Sequence, residues 1–183
     1  MKLWLLRHAR VMLPPGICYG VSDVAADPEA TEIAASEFAS RPAPGSVVWT
    51  SPLSRARDLA QALCQNRPDL SPPASDSRLQ EMDFGCWELQ AWEQIPRLAF
   101  DAWTEDFSGH RFGGKESAQD MIGRVASALD DLLASGHPQA VWVTHAGVIR
   151  ALVFLKTGKM KIQSAAEWPI AAPAPGEAIL LDV

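Results

Sequence analysis

The chain has 183 residues, 48% of them hydrophobic, enough for a single domain over 1–183 with a sizeable core. A formal net charge of −6 excludes broad electrostatic attraction to nucleic acid or an anionic membrane. No apolar run is long enough for a membrane span, and no cleavable leader precedes the first apolar stretch, so a cytoplasmic protein is expected.

Leu3 to Leu6 reads as a short strand covered on both faces, ending in Arg7-His8. Val11 to Ala26 has no period and several Pro and Gly, which predicts a loop lying over that strand end. Asp27-Pro28 supplies an N-cap and a first-turn proline for a helix with an Ala30, Ile33, Ala34, Phe38 stripe. Val47 to Trp49 is a second buried strand. Thr50-Ser51-Pro52 then turns into a helix (Leu53, Ala56, Leu59, Ala60, Leu63), with Ser51 as its expected cap and Arg55 in its first turn.

Pro68 to Asp76 is expected to be a surface connection, and Leu79 to Glu88 carries three acids among aromatics. Helical periodicity is weak from Leu89 to Asp106, where Pro96 interrupts it. The clearest helix starts at Ser117, with Asp120 placed for a capping box, and stops at Gly136 and Pro138. Ala140 to Val143 is a third strand, Thr144 to Gly147 its turn, and Val148, Ile149, Leu152 and Val153 the next helical stripe. Ala165 to Pro175 reads as a surface loop and Ala178 to Leu181 as a last strand. This alternation predicts a three-layer α/β/α domain with a mostly parallel sheet, with Trp4, Trp49 and Trp142 in its core.

Three strand-to-helix turns hold Arg7-His8, Ser51 to Arg55 and Thr144 to Gly147. In a parallel sheet such turns share one edge, so these residues can converge. Two histidines, two arginines and helix N-termini suit a dianion, and phosphate fits best. A neutral imidazole can attack phosphorus in line, and the leaving alkoxide then needs a proton. Glu81 or Asp83 supplies it if burial among Met82, Phe84 and Trp87 keeps one carboxyl protonated. The scheme requires no metal or other cofactor, and Cys18, Cys64 and Cys86 lack the spacing of a thiolate zinc site. The structural alternative for Arg7 and Arg55 is an ion-pair network with Glu81 and Asp83. Arg10, Tyr19 and Glu88 are weaker candidates, and His110 and His137 are expected to be solvated.

Leu6-Arg7-His8-Ala9 resembles the Arg-His-Gly signature of the histidine phosphatase, or phosphoglycerate-mutase-like, family. Ser51 to Ala56, Leu79 to Glu88 and Thr144 to Arg150 are similar to its later motifs, in family order. The resemblance implies His8 as the phosphorylated nucleophile, Arg7, Arg55 and His145 as the phosphate pocket, and Glu81 as proton donor. Ala146, Arg10 and Tyr19 join the phosphate-binding set. It also implies a small phosphorylated metabolite as partner and leaves the oligomeric state unassigned. Gly16 to Gly20, Asp23 and Gly113 to Ser117 look most like the α-ribazole phosphatase branch.

A phosphoglycerate mutase and a phosphohistidine-protein phosphatase are the alternatives within the family, and a catalytically impaired phosphate-binding module is the alternative outside it. Three departures stand out. Ala9 replaces the usual Gly, with strain if that position needs φ > 0; Arg10 stands where many members have an acid; and Leu89 replaces the Gly that commonly follows Trp-Glu.

Overall fold

A computed structural model describes residues 1–183. Its elements are β1 (Lys2–Arg7), α1 (Pro28–Phe38), β2 (Val47–Thr50), α2 (Ser54–Asn66), β3 (Ala74–Ser75), α3 (Arg97–Glu105), α4 (Ala118–Ala134), β4 (Gln139–Thr144), α5 (Ala146–Leu155) and β5 (Ala178–Asp182). The five-stranded sheet runs β3-β2-β4-β1-β5, and every pairing is parallel except the antiparallel β1–β5 edge. Leu3 pairs with Ala140 and Arg7 with Thr144, so the end of β1 lies beside the end of β4.

Apolar side chains leave the sheet on both faces, as the continuous runs in β1 and β4 require. Leu3, Leu5 and Trp142 meet Met121, Ile122 and Val125 of α4 and Val148, Ile149 and Leu152 of α5. On the other face Leu6, Val48, Val141 and Val143 meet Phe38 of α1 and Leu59 and Leu63 of α2. These layers give the expected α/β/α sandwich. A third, aromatic cluster, with Cys18, Ile95 and Phe112 at its centre, draws in Phe84, Trp92 and Trp103. It joins the Val11–Ala26 loop to the segment that carries the acids.

Local signals explain most boundaries. Asp27 caps α1 by accepting from the Ala30 N–H, with Pro28 in the first turn. Ser117 and Asp120 form a reciprocal capping box on α4. Several expectations need correction. Helix α2 starts at Ser54, not at Pro52, with Leu53 in the capping position; Ser51 is used elsewhere. Only Arg97–Glu105 of the Leu89–Asp106 stretch is α-helical, after Pro96. The Pro68–Asp76 connection contains β3, which pairs with β2. Ile33 is exposed, and Thr31, Ala34, Ala35 and Phe38 carry the buried face of α1. Trp142 is fully buried, whereas Trp4 and Trp49 are half-buried, and so is His110.

Leu89, not Ala9, is the only non-glycine residue with positive φ, at 63°. Ala9 is buried in ordinary backbone geometry, so the missing glycine there imposes no strain. No helix is long and apolar enough to cross a membrane.

Candidate active site

The site forms where β1 and β4 end and α2 and α5 begin. Arg7, His8, Tyr19, Gly20, Glu81 and Ala146 are among the residues lining a cleft of about 250 Å³. Arg55 and His145, each 0% exposed, lie buried at its base. The His8 and His145 rings are 5.1 Å apart, and the Arg55 guanidinium carbon stands 5.2 Å from the centre of the Tyr19 ring.

His8 Nδ1 is 2.7 Å from the Ala9 carbonyl oxygen. A carbonyl only accepts, so Nδ1 carries the proton and Nε2 keeps its lone pair. Burial, reinforced by the positive charges of Arg55 and Arg7, lowers the His8 pKa to about 3, so the ring is neutral across the physiological range. His145 is lowered well below its ordinary value by burial first and then by its cationic neighbours. Its Nε2 shares a 2.8 Å hydrogen bond with Ser51 Oγ, which also accepts from the Leu53 N–H.

The arginines are held by carbonyls. Arg55 donates to Ser22 O at 2.8 Å and Gly20 O at 2.6 Å, and Arg7 donates to Pro173 O at 2.9 Å. Glu88 accepts from the backbone N–H groups of Val21, Ser22 and Phe84, and so grips the same loop from the other side. Arg7 Nε, Arg55 Nε and His145 Nδ1 are buried and have no hydrogen-bond partner within the protein. Three orphaned nitrogens in one site are destabilising unless an acceptor-rich ligand serves them.

Glu81 reaches this cleft. Its carboxylate accepts from Met82 N–H at 3.0 Å and Gly147 N–H at 3.1 Å. Asp83 does not line this cleft: it accepts from the Gly85 N–H and lines a polar basin with Arg78 and Arg111, which Glu81 also borders. Beyond Glu81 lies a smaller apolar pocket of about 90 Å³, walled by Phe84, Trp103, Phe107 and Trp168 among others. Arg150 stands between the cleft and this pocket and donates to Ile170 O.

Of the residues singled out from the sequence, the structure therefore brings together His8, Arg7, Arg55, His145, Glu81, Ala146 and Tyr19. It does not bring in Arg10, whose guanidinium is paired with Asp27 at 2.6 Å beside α1, outside the cleft. Neither Arg7 nor Arg55 forms an ion pair with Glu81 or Asp83. Sequence reasoning misses Arg150 and the partnership of Ser51 with His145. Arg150 is detectable in principle, because it lies four residues after Ala146 on the same helix face. No group of three His, Cys, Asp or Glu side chains converges to hold a metal ion.

Known proteins place this geometry. A protein from Hydrogenobacter thermophilus named "Putative phosphoserine phosphatase 2" is 28% identical over 164 residues, covering 86% of this chain and 79% of the relative. Among solved structures, TTHB049 from Thermus thermophilus is 28% identical, with a TM-score of 0.73 and 100% and 94% of the two chains covered. Mycobacterial glucosyl-3-phosphoglycerate phosphatase is 26% identical, with a TM-score of 0.79 and 99% and 89% covered. Residues 3–174 match the family described as the histidine phosphatase superfamily, branch 1. Motif order, fold and match extent agree, and the chain belongs to the histidine phosphatase superfamily as a phosphatase.

Proposed function

We propose that the protein is a metal-independent phosphomonoesterase that works through a phosphohistidine on His8. The observation that carries this reading is the set of buried, unpartnered nitrogens, Arg7 Nε, Arg55 Nε and His145 Nδ1, in one site with a neutral His8 whose ring stands 5.1 Å from that of His145. His8 Nε2 attacks phosphorus in line. The P–N bond forms as the P–O bond to the alcohol breaks, and Glu81 gives its proton to the departing oxygen. Arg7, Arg55 and His145 hold the non-bridging oxygens, where charge builds in the transition state. If the Ser51 hydroxyl donates to His145 Nε2, the proton resides on Nδ1, which then becomes a further donor to phosphate. In the second step water attacks phosphohistidine, the Glu81 carboxylate takes the water's proton, and inorganic phosphate leaves with His8 restored.

The substrate is a small phosphate ester. α-Ribazole 5′-phosphate is one candidate, supported by the resemblance of the Gly16–Gly20 and Gly113–Ser117 segments to that branch. O-Phosphoserine and glucosyl-3-phosphoglycerate are others, supported by the names of the relatives. The test is phosphate release from a panel of phosphorylated metabolites in the presence of a chelator, with His8→Ala as control. Turnover that survives the chelator and disappears in the variant supports the mechanism. Full activity of His8→Ala overturns it, and transfer of the phosphoryl group to a second hydroxyl in place of release identifies a mutase.

A further inference from the structure

Glu81 sits in a stretch that belongs to no helix or strand, between the short turn Ser77–Leu79 and the turn at Gly85. Its backbone carbonyls therefore have no ladder to satisfy them, yet they are partly buried and need donors. Side chains supply them. Arg124, on α4, donates through Nη1 to Arg78 O and Gln80 O, both at 2.7 Å, and through Nη2 to Glu81 O at 3.1 Å. The one carbonyl left between them, Leu79 O, accepts from the Thr144 hydroxyl at 2.8 Å. Four successive carbonyls leading to the acid are thus held by two side chains.

The guanidinium is itself fixed. Arg124 Nε and Nη2 face both oxygens of Glu116 at 2.6 and 3.0 Å, and Glu116 Oε2 also accepts from the Asp83 N–H at 3.0 Å. Residues 78 to 83 are gripped at five places by one guanidinium, one hydroxyl and one carboxylate. The Arg124 and Glu116 side chains are only 20% and 14% exposed, so the pair is shielded enough for geometry to matter. None of these groups lines the cleft that holds His8. Thr144 adds a second link, since it directly precedes His145 and so ties the acid's segment to the strand that delivers that ring.

We infer that the Glu116–Arg124 pair, with Thr144, is the device that sets the position of the Glu81 carboxyl, and that Arg124 is a positioning residue for proton transfer. The inference rests on Glu81 as the proton donor. It gives a use to Glu116 in the Gly113–Ser117 segment, and it requires arginine. A lysine ammonium has three donors at a point and no planar fork, so it cannot span three carbonyls and a carboxylate.

The test is the dependence of kcat/KM on the leaving group, because kcat/KM reports only the steps up to departure of the alcohol and not the second step, in which Glu81 acts as base whichever ester was used. An alkyl phosphate ester needs a protonated leaving oxygen, whereas p-nitrophenyl phosphate does not. Arg124→Lys and Glu116→Gln are compared with Glu81→Gln and wild type on both esters, with KM and the pH profile recorded. Arg124→Lys is expected to lower kcat/KM on the alkyl ester about 30-fold. On p-nitrophenyl phosphate kcat/KM should stay within about threefold of wild type. Glu116→Gln, which keeps the acceptor oxygen, should show a smaller loss of the same kind.

Equal losses on both esters, or no loss, in a folded Arg124→Lys enzyme overturn the inference while Glu81→Gln still shows the leaving-group effect. If Glu81→Gln itself treats the two esters alike, the reading of Glu81 as the acid fails instead. Should Arg124→Lys not fold, Thr144→Val and Glu116→Gln provide the same readout, and an unchanged leaving-group dependence in both overturns the inference.

Discussion

The backbone N–H of Gly147 donates to Oε2 of Glu81 at 3.1 Å, joining the first turn of α5 to a carboxylate 66 residues away in sequence. A Cβ at position 147 would stand 2.1 Å from Glu81 Oε1 and 2.8 Å from the Met121 methyl carbon. The carboxyl occupies the space that any side chain would fill. Gly147→Ala is therefore expected to push Glu81 out of place and cut kcat on alkyl phosphate esters about 100-fold, within the range for loss of a general acid. Steady-state kinetics on alkyl and p-nitrophenyl esters check it, and equal activity of variant and wild type on the alkyl ester would refute it.

The two buried histidines set a pH dependence of stability. Both have folded-state pKa values below the unfolded value of 6.5, that of His8 falling to about 3. Below pH 6.5 the unfolded chain binds protons that the folded chain refuses, so stability falls as pH drops from about 6.5 toward 3 and is retained above that window. Urea midpoints measured at about pH 7.5, 5.5 and 4.5 should decline in that order, and the decline should be shallower in His8→Asn. Inorganic phosphate should oppose the decline, because a bound anion favours the protonated rings.

Leu89 carries left-handed backbone strain at φ 63°, and the residue is 59% exposed. Such a conformation costs a non-glycine residue roughly 1–2 kcal/mol, and glycine offsets part of that gain through its floppier unfolded state. Leu89→Gly keeps the N–H that donates to Cys18 O and loses little burial. The expected result is a Tm higher by about 2 °C in a thermal melt, with unchanged kcat; a lower Tm would show that the leucine side chain matters more than its backbone.

The apolar pocket beyond Glu81 adjoins the cleft through Glu81, Phe84 and Arg150, and under the proposed function the alcohol part of an ester extends into it. Phe107 and Trp168 have ring centres 5.9 Å apart, and Trp103 stacks on Phe107 at 5.4 Å. Removing the Trp168 ring is expected to lower kcat/KM for benzyl phosphate about tenfold, on the scale of a lost aromatic contact, and to leave O-phosphoserine little changed. Phosphate-release assays of Trp168→Ala on both esters check this. A uniform loss would place the tryptophan in the fold of the loop and not in recognition.

Much of this molecule is readable from local pattern. Asp27-Pro28, Ser117 with Asp120, and the Arg-His and Thr-His turns each announce themselves within a few residues, because caps and strand ends are local chemistry. The placing of Glu81 in the cleft and Asp83 outside it is not local. Two carboxylates two residues apart in an irregular segment are sorted by Gly147, Arg124 and Glu116, which arrive from elsewhere in the chain. Arg10 reads as a pocket residue because it follows His8, yet Asp27 captures it. Ser51 looks like a helix cap because Pro52 follows it, and the structure commits its hydroxyl to His145 and starts the helix later. The small apolar pocket has no sequence signature at all, since its walls come from widely separated segments.

The placement of β1 has a consequence for biogenesis. The strand that bears Arg7 and leads to His8 is synthesised well before its lateral partners, residues 139–144 and 178–182. The carbonyls of Arg7 and His8 wait for the Gly176 N–H, and the Arg7 guanidinium for Pro173 O. Through most of synthesis, Leu3 to Leu6 is an apolar strand without neighbours, the kind of segment that chaperones shield. The surroundings of His8, the proposed nucleophile, are therefore completed only when residues 173–182 close over β1, and a product stalled before them carries that imidazole without these contacts.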